Sequence, residues 1–188
     1  MNWRAIFKPS ARLSIFTLVV AGAVLGAVTF WVGQATLHAT STDDFCMTCH
    51  SNHSLRDEVL ASAHGNNAAG IVVQCRDCHL PNESFAYLRK KIAVSPDLWR
   101  FITTPGFNTQ EHLEEHRLEW AELARGYLRS IDSSTCSDCH SRVYADPPPD
   151  DMSRTAVNVH RFNANRDPAE RQTCVDCHVG VAHPYPES

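Results

Sequence analysis

Apolar residues cluster in one place along the 188-residue chain, in the run LSIFTLVVAGAVLGAVTFWV at positions 13–32. It carries no charge, and Ser14, Thr17 and Thr29 are its only polar side chains. Twenty helical residues rise about 30 Å, the hydrocarbon thickness of a bilayer. Arg4, Lys8 and Arg12 precede the run and Asp43 and Asp44 follow it, so the charge bias predicts a cytoplasmic N-terminus with the rest of the chain across the membrane. A cleaved signal peptide is the alternative, with Ala35 and Ala39 as small residues near a cleavage site. Against it, the run exceeds the roughly 7 to 15 residues of a signal core, and Trp31 stands where an interfacial aromatic belongs. Gly22 and Gly26 form a small-xxx-small pair, a weak signal for packing against another helix. The predicted division is a cytoplasmic N-terminus (1–12), a transmembrane anchor (13–33) and a periplasmic domain (34–188).

Beyond the anchor the pattern turns to short amphipathic stretches. Residues 33–42 read as a brief tether. SLRDEVLASAH at 54–64 predicts a helix with Leu55, Val59 and Leu60 on one side, His64 at its end and Gly65 as its stop. Ser95-Pro96-Asp97 has the N-cap and first-turn proline of a helix start, followed by LWRFI and a break at Thr104-Pro105-Gly106. Positions 108–131 predict one long helix, with Asn108 and Glu111 resembling a capping box and Leu113, Arg117, Trp120, Ala124, Tyr127 and Ile131 at helical spacing. His112 and His116 lie beside that stripe and read as partly exposed helix histidines, with a ligand role or a buried contact as alternatives for His116. A proline-rich loop at 146–151 precedes a helix over 152–164 that carries His160. The tail beyond His183 has too little pattern for an element.

The cysteines change this picture. All eight fall in four copies of Cys-x-x-Cys-His: Cys46, Cys49 and His50; Cys75, Cys78 and His79; Cys136, Cys139 and His140; Cys174, Cys177 and His178. In this pattern two thiols add to the vinyl groups of a haem and the adjacent imidazole reaches the iron. Zinc, dithiol redox or disulfide readings leave the four following histidines unexplained. Four covalent c-type haems are the reading. Positions 40–188 then offer about 37 residues to each macrocycle, too few for an ordinary side-chain core, so the haems themselves form the core. The formal charge of −4 with no basic block gives no sign of a nucleic-acid partner. Seven further histidines, His38, His53, His64, His112, His116, His160 and His183, are available as second axial ligands. Their number suffices, but counting leaves their assignment open.

The motif order behind a single anchor, Asp44-Phe45-Cys46-Met47-Thr48-Cys49-His50, the histidine in Ala63-His64-Gly65, the mid-chain Glu115-His116-Arg117-Leu118-Glu119 and the ending Cys174-Val175-Asp176-Cys177-His178-Val179-Gly180-Val181-Ala182-His183-Pro184 together resemble the NapC/NirT/NrfH family of membrane-anchored multihaem cytochromes. The resemblance implies a mainly α fold, one transmembrane helix plus a small haem-packed multihaem cytochrome c domain in the bacterial inner membrane. It implies a quinol dehydrogenase of anaerobic respiration that passes electrons to a periplasmic reductase of the nitrate or nitrite type. The partners implied are membrane quinol, the lipid bilayer and a periplasmic redox enzyme, in a complex or oligomer. Residue by residue, it places His64, His160 and His183 as distal haem ligands and His79, His140 and His178 as proximal ones. It puts Lys91 and Asp97 beside the first haem and the quinol, where a cation polarises the quinone oxygen and a carboxylate accepts a proton. One position departs from the family: Asn52 stands where members carry a methionine that ligates the first iron. His50, Met47 or His53 as the ligand, or a five-coordinate iron, are the readings left open there. Two other functions remain beside quinol oxidation, namely quinone reduction with electrons from a periplasmic oxidase such as a hydroxylamine-oxidising system, and a docking subunit that binds no quinone.

Overall fold

The computed structural model describes residues 11–50 and 54–186, and the chain divides into two compact units, Met1–Phe45 and Cys46–Ser188. Asn52 and His53, on which the ligation of the first iron turns, lie outside the described residues.

The first unit is dominated by α1 (Ala11–Ala39). Its stretch Phe16–Ala39 is 24 residues of mean hydropathy 2.0 with no residue buried in protein, long and apolar enough to cross a membrane. The helix runs on through the positions expected to form a tether. Gly33 weakens a helix without ending one; termination comes where hydroxyls compete for the last carbonyls. Thr40 Oγ1 donates to Thr36 O at 2.8 Å and Ser41 Oγ to Leu37 O at 2.6 Å. Thr42 Oγ1 then accepts from Phe45 N at 3.2 Å, opening α2 (Asp43–His50), which holds the first motif.

The second unit is a set of helices with no strand among the described residues: α3 (Leu55–Ala61), α4 (Cys75–His79), α5 (Ser84–Thr103), α6 (Gln110–Ser130), α7 (Ser134–Ser137), a 3-10 turn (Ser141–Tyr144), α8 (Arg154–Ala164) and α9 (Cys174–Cys177). Four of these differ from the sequence pattern. The expected helix at 54–64 stops at Ala61, and His64 sits in the following turn, where Gly65 N and Asn66 N both donate to Ser62 O. Pro96 does not begin a helix but lies inside α5. Its missing N–H would strand the carbonyl of Ile92, and Ser95 Oγ takes that place, donating to Ile92 O at 2.8 Å. At α6 the cap is Thr109, whose side chain accepts from His112 N at 3.3 Å, rather than Asn108. On α8 Ser153 caps the helix, accepting from Ala156 N at 3.2 Å, so it begins two residues later than expected.

The long helix α6 is the strut. It meets α5 where Lys90 Nζ lies 3.5 Å from the centroid of the Tyr127 ring, α3 through Arg117 and Glu58, and α9 where Arg129 Nε donates to Asp176 Oδ1 at 2.6 Å. It ends in a Schellman turn, Asp132 N donating to Arg129 O and Ser133 N to Leu128 O, with Asp132 and Ser133 both left-handed at φ 52° and 49°. That turn sends the chain directly into the third motif. Among the described residues, the buried apolar side chains are Val59, Leu113 and Val175. Ile71, Phe85, Ile92, Trp99, Leu123 and Phe162 stay exposed to protein-free space. A polypeptide of this size does not fold on three buried side chains; these uncovered surfaces are what apolar macrocycles would cover.

Candidate functional site

The site begins with the motifs. Helices α2, α4 and α9 hold the first, second and fourth, and the third runs from α7 to His140. Residues three apart on a helical turn share a side, so the two sulfurs of each motif face one way with the imidazole just beyond. In the second and fourth motifs the intervening aspartate caps its own turn: Asp77 Oδ2 accepts from Gln74 N and Asp176 Oδ2 from Thr173 N, each at 2.8 Å. In the third, Asp138 Oδ2 instead accepts from Asn82 Nδ2 at 2.7 Å. None of the eight cysteines is in a disulfide, and none is fully buried.

The motifs follow one another in space as they do in sequence. Burial pushes the Cys78 thiol up to about 11, and charge on Cys136, Asp77 and Cys139 adds to it. Cys136 is pushed up by burial and then by Cys174. His50 is among the charges that bear on His79. In the haem-bearing protein these sulfurs are thioethers, and what persists is the proximity of each motif to the next.

Three imidazole pairs form across the domain. His79 faces His183 with ring centroids 6.3 Å apart, His140 faces His64 at 6.2 Å, and His178 faces His160 at 6.0 Å. Two imidazoles on opposite sides of one metal ion, with bonds of about 2 Å and ring centres about 1.1 Å further on, have centroids about 6.2 Å apart. In each pair one member belongs to a motif and the other comes from elsewhere in the chain. The outer members share a second feature: Nδ1 of His64 lies 3.1 Å from Val181 O, Nδ1 of His160 2.8 Å from Ala156 O, and Nδ1 of His183 3.2 Å from Glu58 Oε2. Each acceptor fixes the proton on Nδ1 and turns Nε2 toward the opposite ring, the arrangement that orients metal-ligating histidines. His79 keeps accessible ring surface although protein crowds it, as a side chain lining a gap between helices does. That crowding first, then the charges of His183, Lys90 and His50, push it down to about 4, leaving the neutral imidazole that a metal requires. Sulfur pairs, imidazole spacing and uncovered apolar surface all fit covalently bound haem.

Two supports come from Gly65, which the sequence marks only as a helix stop, and from Glu58, which patterning does not mark. Gly65 carries no side chain because a Cβ there would stand 2.4 Å from Leu60 Cα, so only glycine lets the chain fold back tightly enough to place His64. Glu58 orients His183 and is itself held by Arg117 Nη2 at 2.8 Å and Ser54 Oγ at 2.5 Å. Burial works to raise the Glu58 carboxyl, but its bonds to Arg117 and Ser54 outweigh it and hold the group below the usual range. No sequence pattern joins Glu58 to a partner 125 positions away; only the folded chain does.

The model of the NapC/NirT cytochrome c family, N-terminal region, matches residues 8–188. This chain belongs to the NapC/NirT cytochrome c family. It is similar to the tetraheme c-type cytochrome CymA of Shewanella oneidensis, 58% identical over 187 residues that span all of both chains. The cytochrome c-type protein NapC of Paracoccus pantotrophus is 34% identical over 98% of this chain and 76% of its own length. The cytochrome c-type protein TorC of Escherichia coli K12 is 32% identical over 98% of this chain, which spans 46% of that longer relative. As a NapC/NirT cytochrome the chain is a membrane-anchored electron-transfer protein with covalently bound haem.

Both residues that the family resemblance singles out beside the quinol lie on α5. Lys91 is half-buried, and burial lowers its ammonium below the usual lysine range while the charge of Cys46 pulls the other way; it therefore lies within electrostatic reach of the first motif. Its Nζ lies 5.8 Å from the centroid of the Tyr87 ring. Asp97 is exposed, and its Oδ1 accepts from Arg100 Nη1 at 2.9 Å. Six residues separate the two, about 9 Å along the helix.

Proposed function

We propose that this NapC/NirT cytochrome oxidises membrane quinol at its first motif and delivers the electrons, one at a time, to a periplasmic redox enzyme through the later motifs. The N-terminus is cytoplasmic, the helix at 13–33 is the membrane anchor, and 34–188 form the periplasmic domain. Cys46 and Cys49, Cys75 and Cys78, Cys136 and Cys139, and Cys174 and Cys177 attach the four haems. His79 with His183, His140 with His64, and His178 with His160 supply both axial ligands of haems two to four, and His50 faces the first. When bound, the haems supply four one-electron stations in series.

The observation that carries the reading is the pairing of three motif imidazoles with three others at about 6 Å. Paired imidazoles leave no coordination position for a substrate, so those three sites suit relay alone. Substrate chemistry then belongs at the first motif, and Lys91 lies within electrostatic reach of it. Oxidation of a quinol releases two electrons and two protons. A partly desolvated lysine can hydrogen-bond the quinol oxygen and stabilise the negative charge that develops there as the proton departs. Asp97, now engaged by Arg100, is the carboxylate on the same helix that receives the proton and passes it to the periplasmic side.

The test is anaerobic mixing of the oxidised, detergent-purified holoprotein with a menaquinol analogue while haem reduction is followed optically. Rapid reduction that a quinone-site inhibitor blocks, and that slows at least about tenfold in Lys91→Ala and in Asp97→Asn with haem content unchanged, is the expected result. Normal rates in both variants would remove Lys91 and Asp97 from the site. Failure of quinol to reduce haems that dithionite still reduces would overturn quinol oxidation itself.

A further inference from the structure

One group of metal-ligating side chains lies outside the three imidazole pairs. His112, Glu115 and His116 stand at positions i, i+3 and i+4 of α6, a spacing that turns all three onto one face of the helix. Their ligand atoms lie within 4.8 Å of one another. The two imidazoles are 4.3 Å apart between centroids and inclined by 54°. His116 is oriented as the haem-directed histidines are, its Nδ1 lying 3.0 Å from His112 O, so that Nε2 is the nitrogen left to a ligand. Trp120 stacks on His116 at 5.4 Å and meets His112 edge-on at 5.3 Å, and Phe107 flanks His112 at 5.6 Å. The rings are thus walled in by aromatic side chains and half-buried, while Glu115 stays open to solvent.

We propose that His112, Glu115 and His116 form a site for one divalent transition-metal ion of the zinc, nickel or copper class, separate from the haem irons. Two imidazoles and one carboxylate select such ions over calcium and magnesium, which prefer all-oxygen ligands. Two histidines at i and i+4 on a helix are a familiar half of a zinc site, and a third protein ligand with water completes it. A tetrahedral ion with bonds of about 2.1 Å holds its ligand atoms about 3.4 Å apart, so small side-chain rotations close the present spacing. The nearby charge is favourable. Glu119 continues the face one turn beyond Glu115, and Arg117 is turned to Glu58 and Glu114. Bound there, the ion would clamp the first half of α6, which carries Arg117 to Glu58 of α3, and would stabilise the fold by mass action.

The experiment is calorimetric titration of the full-length, haem-loaded, tag-free protein in detergent with zinc chloride, repeated with nickel and calcium chlorides. One equivalent of zinc should bind saturably with the haem absorption spectrum unchanged, and nickel should do the same. Binding should weaken about tenfold or more in His112→Gln and in His116→Gln, variants whose normal haem absorption would show that they fold. Zinc should also raise the melting temperature of the parent protein but not of His116→Gln. The proposal is overturned by absence of saturable zinc binding, by binding that survives both substitutions, by calcium binding as tightly as zinc, or by zinc uptake that shifts the low-spin haem bands, which would mean capture of haem histidines.

Discussion

At the scale of single residues, the three histidine pairs proposed as haem ligands differ in geometry. The rings of His178 and His160 are nearly parallel at 11°, those of His79 and His183 are tilted by 38°, and those of His140 and His64 are nearly perpendicular at 81°. Perpendicular ligand planes leave the two highest filled d orbitals of a low-spin ferric iron almost equal in energy, and parallel planes split them. Electron paramagnetic resonance of the oxidised holoprotein should therefore show one signal with an unusually large maximal g value and at least one ordinary rhombic signal. His64→Ala should remove the first and His160→Ala the second; loss of the same signal in both variants would refute the assignment. The outer neighbours should matter as well. Glu58→Gln removes the anion that accepts from His183, making that imidazole a weaker donor to its metal, so one haem potential should rise by tens of millivolts in a redox titration. The substitution also leaves Arg117, 13% exposed, without half of its salt bridges, and a loss of about 3 kcal/mol in denaturant unfolding is expected.

At the scale of elements, local hydrogen bonds and tertiary demands both decide where helices end and what their interiors tolerate. Hydroxyl and aspartate caps are local, as at the motif turns of Asp77 and Asp176, each bonded to a backbone N–H three residues before it. The proline at 96 misleads because its usual place is a first turn, and the hydroxyl that lets it sit inside α5 belongs to the residue beside it. The end of α3 misleads for the opposite reason. Its pattern continues to His64, but the histidine has to leave the helix to face His140, and Gly65 permits the turn. Gly65→Ala would force a Cβ into backbone at 2.4 Å; the expected result is loss of the large-g signal of the His64 pair together with a fall of several degrees in melting temperature, measured by circular dichroism.

At the scale of the whole molecule, the second unit depends on groups that the polypeptide does not supply. Val59, Leu113 and Val175 are its buried apolar side chains among the described residues, and hydrophobic burial of that extent does not offset the entropy of ordering such a chain. Protein expressed without haem attachment should accordingly unfold without a cooperative transition in calorimetry, while the haem-loaded form melts cooperatively. A cooperative melt of the haem-free chain would show that side-chain packing alone suffices. The linear succession of motifs, each within electrostatic reach of the next, suits a relay with an entrance at one end and an exit at the other, and α6 holds that order by tying α3, α5 and α9 to a single rod.

The sequence by itself determined what is chemically local: the membrane helix, because hydrocarbon thickness sets a length and excludes charge; the four haem attachments, because both thiols and the imidazole lie within five consecutive residues; and the helical class, because periodicity is a property of neighbours. It also named the histidines available to the irons, but not their partners. His79 and His183, His64 and His140, Glu58 and His183 are each separated by tens of residues or more. Nothing in a local pattern encodes which distant side chain arrives at 6 Å, or at what tilt. Those choices follow from how the helices and turns close on one another, a property of the whole chain, and they decide which distant imidazoles meet.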